Sequence, residues 1–266
     1  MARSAAARPD ASPARRNWSE AEWAMRVDVA ACYRLVDHFG MTDLVYNHIT
    51  ARVPGSDHHY LINPYGLMYD EITASNLVKI DLQGNIVEDT QYDMNQAGFV
   101  IHSAVHGARP DVVAVIHTHS RAGAAVSALK EGFVPVTQGA FQFYNRVAYH
   151  DYEGFALDLE ERQRLIADLG QRRAMILRNH GLLTCGRSVA EAFRLIYYLE
   201  QACQAQLDVM HTGRPIQMPP PEVSEHTAQQ WEGGAAGIGT GSGSGLFREW
   251  PALLRMLDRK DPSYKT

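Results

Sequence analysis

The sequence predicts an α/β fold, with a mixed sheet held between layers of helix. Three observations point there. Several short stretches alternate or run apolar at strand length, and longer segments carry apolar residues at helical spacing. Turns centred on Pro or Gly then join some of the strands as hairpins. At 266 residues, 45% hydrophobic and 21% charged, the chain can bury one sizeable core.

Ordered structure is expected from Ser19, which with Glu22 makes an S-x-x-E capping box at a helix start. Val27, Ala30, Ala31 and Leu35 continue it as an apolar stripe, ending near Phe39-Gly40. Ile49 to Val53 and Tyr60 to Asn63, parted by Pro54-Gly55, read as paired strands. Leu77 to Leu82 and Ile86-Val87 flank a Gly84-Asn85 turn, a second hairpin signal. A helix is predicted over Met94 to Ala108, stopped by Pro110. The unbroken run Val112 to Ile116 suits a strand covered on both faces. Gly123 to Leu129 reads as helix, and Ala174 to Leu177 and Leu182 to Thr184 as strands around Asn179-His180-Gly181. Ser188 and Glu191 form another capping box, opening a long helix toward Met210.

The C-terminal part changes character. Pro219-Pro220-Pro221 breaks the chain, and Gly233 to Gly245 is a Gly-, Ala- and Ser-rich linker before a final helix over Phe247 to Leu257. The resulting division is a disordered tail over 1–17, a domain over 18–211 and an extension over 212–266. Arg-rich Met1 to Arg16 lacks the apolar core of a secretory signal. No run of eighteen apolar residues predicts a membrane span. A net charge of −5 gives no electrostatic reason to bind nucleic acid or an anionic membrane. Cys32, Cys185 and Cys203 are too few and scattered for a disulfide framework, so a reducing, cytoplasmic setting is expected.

The sharpest local signal is Val115-Ile116-His117-Thr118-His119. Alternate residues of a strand point the same way, so His117 and His119 can offer two imidazoles to one point. Imidazole is a neutral ligand for zinc, manganese or iron. His180, in a tight turn directly after a strand, is a candidate third ligand. By spacing alone, an H-x-H pair also fits core or surface histidines, and His180 also fits a turn residue bonded to backbone.

The stretches AGFVIHSAVHGARPDVVAVIHTH, AGAAVSALKEGFVP, VAYHDYEG and ILRNHGLLTCGRSVAEAF occur in that order within Ala97 to Met210. They resemble the class II aldolase/adducin family, and Met41 to Lys79 resembles its N-terminal half. The resemblance implies a three-layer αβα sandwich with a largely antiparallel central sheet. It also implies one divalent metal per subunit on His117, His119 and His180, zinc first, with manganese or iron compatible. Family enzymes form four-fold tetramers whose sites are completed by a neighbour, and the aromatic stretch Gln138 to Tyr144 is the candidate contact.

The chain departs from the family's sugar-phosphate aldolases at the acid/base position. Their glutamate stands nineteen residues before the first H-x-H histidine, and that position here is Gly98. His102, one helical turn on, and Tyr65 and Tyr144 are candidate replacements; His102 also fits a histidine packed against the sheet. Of the family's phosphate pocket, Asn47 is retained. The Thr-Gly pair becomes Tyr65-Gly66 and the two serines become Gln96-Ala97. Asn47, Tyr65, Gly66 and Gln96 therefore outline a pocket for an unphosphorylated substrate, aromatic ones included, although Tyr65 also fits as hairpin filler.

The residues and the resemblance together allow three functional readings. The first is a metal-dependent lyase cleaving C–C by retro-aldol reaction or decarboxylation of a hydroxy-carbonyl or aromatic acid. The second is a non-haem iron oxygenase, since three histidines also suit Fe(II). The third is a non-catalytic, adducin-like interaction protein, because fold alone does not establish catalysis.

Overall fold

The computed structural model describes residues 18–154, 159–233 and 248–266, with backbone alone at 96–98 and 159. The expected disordered tail and all but the first residue of the Gly-rich linker lie outside those residues. Seven strands form one sheet: β1 (His48–Arg52), β2 (His59–Ile62), β3 (Val78–Asp81), β4 (Ala114–Thr118), β5 (Val147–His150), β6 (Ala174–Leu177) and β7 (Gly181–Gly186). Their order is β3-β2-β1-β4-β7-β6-β5. Every pairing is antiparallel except β5 with β6, so the sheet is mixed and largely antiparallel.

Period-two alternation sends strand residues to two faces, and each face is covered by helix. One face carries Ile49, Ala51, Ala114, Ile116 and Leu182 against α1 (Glu20–His38), α3 (Arg121–Ser127), α5 (Val189–His211) and α7 (Glu249–Lys260). The other carries Val115, Met175, Leu183 and Cys185 against α2 (Gln96–Ala108) and α4 (Leu159–Leu169). The result is a three-layer αβα sandwich. No described helix is long and apolar enough to cross a membrane.

Both capping serines work as expected. Ser19 Oγ accepts from Glu22 N and Ser188 Oγ from Glu191 N, each at 3.1 Å. Glu22, however, sends its own carboxylate to Arg26 and Lys79, a buried cluster under α1. β4 begins two residues later than its apolar run suggests. Val112 N closes a turn onto Arg109 O, and the strand gains His117 and Thr118 in exchange. The proline run proves to be a helix start, with Pro221 opening α6 (Pro221–Gly233), where its missing N–H would have had no partner anyway. The polar α4 and the short β5 are additions that the apolar patterning did not signal.

One hydroxyl ties α1 to the sheet. Tyr33 Oη accepts from Ile49 N at 2.8 Å and Asn63 N at 3.2 Å, and lies 2.7 Å from Ile49 O. This fixes the first residues of β1 and the exit of β2 relative to the helix.

On the opposite face three imidazoles are buried beside β1. Thr50 Oγ1 lies 2.8 Å from both His102 Nδ1 and His106 Nε2. His48 stands edge-on to His102, with ring centroids 5.8 Å apart. Burial disfavours their charged forms: His48 is pushed down to about 4, His106 to about 3, and His102 well below its ordinary value. These groups therefore bind protons in the unfolded chain before they do so in the folded one. Their stabilising contribution is full above about pH 6.5 and is lost as pH falls toward 4 and then 3. Urea unfolding of metal-free protein should weaken by about 1.4 kcal/mol per pH unit per histidine from pH 6 to 5. A flat profile over that interval contradicts the neutral, buried cluster, and His106→Asn should reduce the slope.

Candidate metal centre

The site lies where β4 ends and β7 begins. β4 and β7 are antiparallel neighbours, with His117 opposite Leu183 and Thr118 opposite Leu182. The end of β4 is therefore brought beside the turn from β6 into β7. That turn needs a left-handed residue, and Asn179 supplies it at φ 55°. His180 N donates to Leu177 O and Ser127 Oγ, both at 3.1 Å, which fixes the turn. Gly181 admits no side chain: a Cβ there would stand 2.3 Å from the Thr118 carbonyl oxygen.

This arrangement brings three Nε2 atoms together. His117 and His119 are separated by 3.0 Å, His117 and His180 by 3.2 Å, and His119 and His180 by 2.9 Å. A carbonyl and a carboxylate decide the tautomers. His117 Nδ1 lies 2.8 Å from Leu182 O, which can only accept, so the proton sits on Nδ1. His119 Nδ1 lies 2.9 Å from Asp43 Oδ2 and donates to it for the same reason. At least two Nε2 lone pairs thus face each other at near contact, an arrangement that repels unless a cation lies between them. Metal–nitrogen bonds of about 2.0–2.1 Å at tetrahedral angles need nitrogens about 3.3 Å apart, close to the observed triangle. The donor set fits a divalent ion, and among the described residues it is the one His/Cys/Asp/Glu cluster that does.

The electrostatics agree. Burial first, then neighbouring His180 and His119, hold His117 well below its ordinary pKa. Burial and then His119 push His180 down to about 4. Both are therefore neutral, ligand-ready imidazoles at pH 7. His117 is buried while His119 and His180 are half-exposed, so the outer side of the triangle faces solvent. Three neutral ligands would leave an ion its full double charge and an open position.

The segment before β1 is shaped around His119. Asn47 Oδ1 accepts from His119 N at 3.0 Å, and Asp43 holds the ring. Leu44 (φ 49°) and Asn47 (φ 71°) both adopt left-handed backbone to do this, a conformation open to asparagine but one that leucine keeps only where its surroundings enforce it. Asn47 Nδ2 is buried with no hydrogen-bond partner, a donor beside the histidines that is free for another oxygen. Sequence reasoning misses Asp43, because a lone acid in a Met-Thr-Asp-Leu turn looks like any turn residue.

The other sequence candidates divide by place. Tyr65 and Gly66 follow β2 at the same end of the sheet as the start of β1, with Tyr65 46% exposed and Gly66 at φ 92°. Gln96 and Gly98 lie in the first turns of α2, where Gly98 offers no side chain. His102 is fully buried against Thr50. Tyr144 precedes β5, at the edge of the sheet away from His180.

The Class II Aldolase and Adducin N-terminal domain family model matches residues 27–207. An aldolase II superfamily protein from Pseudomonas syringae is 50% identical with a TM-score of 0.88, covering 95% of this chain and 99% of that one. An L-fuculose 1-phosphate aldolase from Glaciozyma antarctica PI12 is 28% identical with a TM-score of 0.81, covering 96% and 97%. Alpha-adducin of Rattus norvegicus is 44% identical over 252 residues, which is 91% of this chain and 34% of the adducin.

Asp43 holds the His119 ring with Nε2 turned into the triangle, so Asp43→Ala should weaken metal affinity about 10- to 100-fold. Competition with a chromogenic chelator measures this. Unchanged affinity would mean that His119 is oriented by packing alone.

Proposed function

The chain belongs to the class II aldolase/adducin family, and we propose that it is a metal-dependent lyase cleaving a C–C bond beside a carbonyl of an unphosphorylated hydroxy-carbonyl or aromatic acid. The observation that carries this reading is the convergence of the His117, His119 and His180 Nε2 lone pairs on one solvent-facing point. A divalent ion held there, zinc first with manganese or iron compatible, would supply Lewis acidity to a carbonyl oxygen, giving the electron pair of the broken bond somewhere to go.

The chain's own residues then select substrate and proton path. Asn47 Nδ2, buried and unpartnered, is placed to donate to a substrate oxygen next to His119. Tyr65, exposed after β2 at the same end of the sheet, would suit an apolar or aromatic group of the substrate. Gly98 cannot move a proton, and His102 is closed off behind Thr50, so no carboxylate or imidazole of α2 serves as base at the cleft. That favours decarboxylation over retro-aldol cleavage, because losing carbon dioxide needs an electron sink and no base. Tyr144 precedes β5 at the end of the sheet away from His180, and so does not serve the site of its own chain. It fits a four-fold tetramer in which Gln138 to Tyr144 meets a neighbour's site, and sedimentation as a single chain would remove that part of the reading. A cytoplasmic location completes the proposal; fractionation that recovers the protein elsewhere contradicts it.

A second reading rests on the 44% identity to alpha-adducin: an interaction module that keeps the histidines without turnover. Iron-dependent oxygenation is the third, and metal analysis with oxygen-uptake measurement separates it.

Metal-loaded protein assayed on a panel of hydroxy and aromatic acids should release carbon dioxide or an aldehyde, and His117→Ala should abolish this. Fuculose and rhamnulose phosphates should turn over negligibly, since a lost general base costs about a hundred- to ten-thousand-fold. Efficient sugar-phosphate cleavage would overturn the substrate assignment, and silence on every substrate would favour the interaction module.

A further inference from the structure

A cavity of about 460 Å³ opens at the end of the sheet opposite the histidines. β5 and β6 run parallel with Val147 beside Ala174, and β6 runs from Ala174 toward His180. The cavity reaches Ala174 and Asn145, at the starting ends of these strands, so a strand length of about 10 Å or more separates it from the metal centre. The end of α4, the first turns of α5 and the end of α6 complete its walls.

Four guanidinium groups line this space: Arg146, Arg172, Arg173 and Arg194. Two are each paired with two carboxylates. Arg146 is held by Glu225 and Glu232, and Arg173 by Glu191 and Asp111. The two lining carboxylates are likewise engaged, Glu232 with Arg146 and Asp168 with His150 Nδ1 at 2.8 Å.

Arg172 and Arg194 differ. Arg172 is exposed, and its side chain has no ion pair among the described residues. Arg194 is only 5% exposed and is built into place. Its guanidinium carbon lies 4.9 Å from the ring centres of both Tyr198 and Trp231. Nη1 donates to Gln142 Oε1 at 3.1 Å, and Gln142 is itself oriented by donating Nε2 to Gly139 O. Glu249 pairs with the Arg194 Nε at 3.7 Å, while Nη2 is buried with no hydrogen-bond partner. A buried donor on a cation is costly to leave unpaired, and a planar guanidinium packed against two aromatic rings is pre-organised for a planar or tetrahedral oxyanion.

We propose that this cavity is a small-anion site, taking a carboxylate or phosphate group between Arg172 and Arg194 with Trp231 as its apolar wall. It goes beyond the metal-centre reading and shares none of His117, His119, His180, Asp43 and Asn47, while Gln142 belongs to the stretch proposed above to meet a neighbouring subunit. An organic acid bound here would act away from the reacting carbon, as an effector rather than a substrate.

The test is calorimetric titration of the intact, metal-loaded protein with inorganic phosphate and, in a separate arm, with benzoate. One saturable event per chain with millimolar affinity or better is expected, accompanied by a fluorescence change that disappears in Trp231→Phe. Arg172→Gln should weaken binding about tenfold, and Arg194→Lys should weaken it further, with metal content unchanged. Repeating the titration on His117→Ala keeps anion capture by the metal centre apart from this site, and binding should persist there. Phosphate alone or benzoate alone producing the event identifies the group recognised. No saturable binding of either anion up to about 20 mM, or equal binding by the arginine variants, overturns the proposal. Should Arg194→Lys fail to fold, Arg172→Gln at the exposed side decides it.

Discussion

β4 lies at the centre of the sheet, hydrogen-bonded to β1 on one side and β7 on the other, with all five residues buried. That pairing fixes the metal centre. With both neighbours antiparallel, the end of β4 meets the start of β7 and the start of β1 at one edge. His117 and His119 leave the strand there, His180 enters from the β7 turn, and Asn47 arrives from the β1 side. A one-residue slip in the β4–β7 register would send His117 to the opposite face and dissolve the triangle. Gly181 guards the register, since no larger residue fits against the Thr118 carbonyl.

The convergence of lone pairs has an electrostatic cost that the surrounding fold bears. His117 points Nδ1–H at a main-chain carbonyl and His119 points it at Asp43, so neither ring can relieve the contact by donating from Nε2. Two left-handed non-glycine residues, Leu44 and Asn47, hold the segment that carries Asp43. Leu44 is strained there and is held by its surroundings, whereas an asparagine such as Asn47 adopts this backbone readily. A purely structural histidine cluster would have no need of neutral rings, matched tautomers and a solvent-facing side together.

Much of this was legible in the residues. The H-x-H strand, the His-Gly turn, both capping serines and the first hairpin come from local periodicity and turn chemistry, which act over a few residues. The ordered family stretches add the third histidine of the triangle and the sheet's largely antiparallel character. What escaped was set by distant contacts. Asp43 becomes informative only when its partner, 76 residues away, is known. His102 has helical spacing suited to a cleft, yet Thr50 and His106 claim it for the interior. Pro221 reads as a breaker because a proline is a first helical residue only when the next ten or so residues form the helix. The arginine cavity draws its walls from four separate elements, and no spacing rule joins them.

If position 98, here a glycine, is where family enzymes move a proton, as the resemblance implies, this chain separates the capacity to hold an ion from the capacity to shuttle a proton beside it. The ion site is the part on which the lyase and oxygenase readings both depend. Anomalous diffraction from crystals of the zinc-loaded protein, collected on both sides of the zinc absorption edge, tests it directly. One peak per chain, about 2.0–2.1 Å from Nε2 of His117, His119 and His180, is the result predicted. An absent peak, or a peak bound through Nδ1 or to other residues, would contradict the metal centre described here.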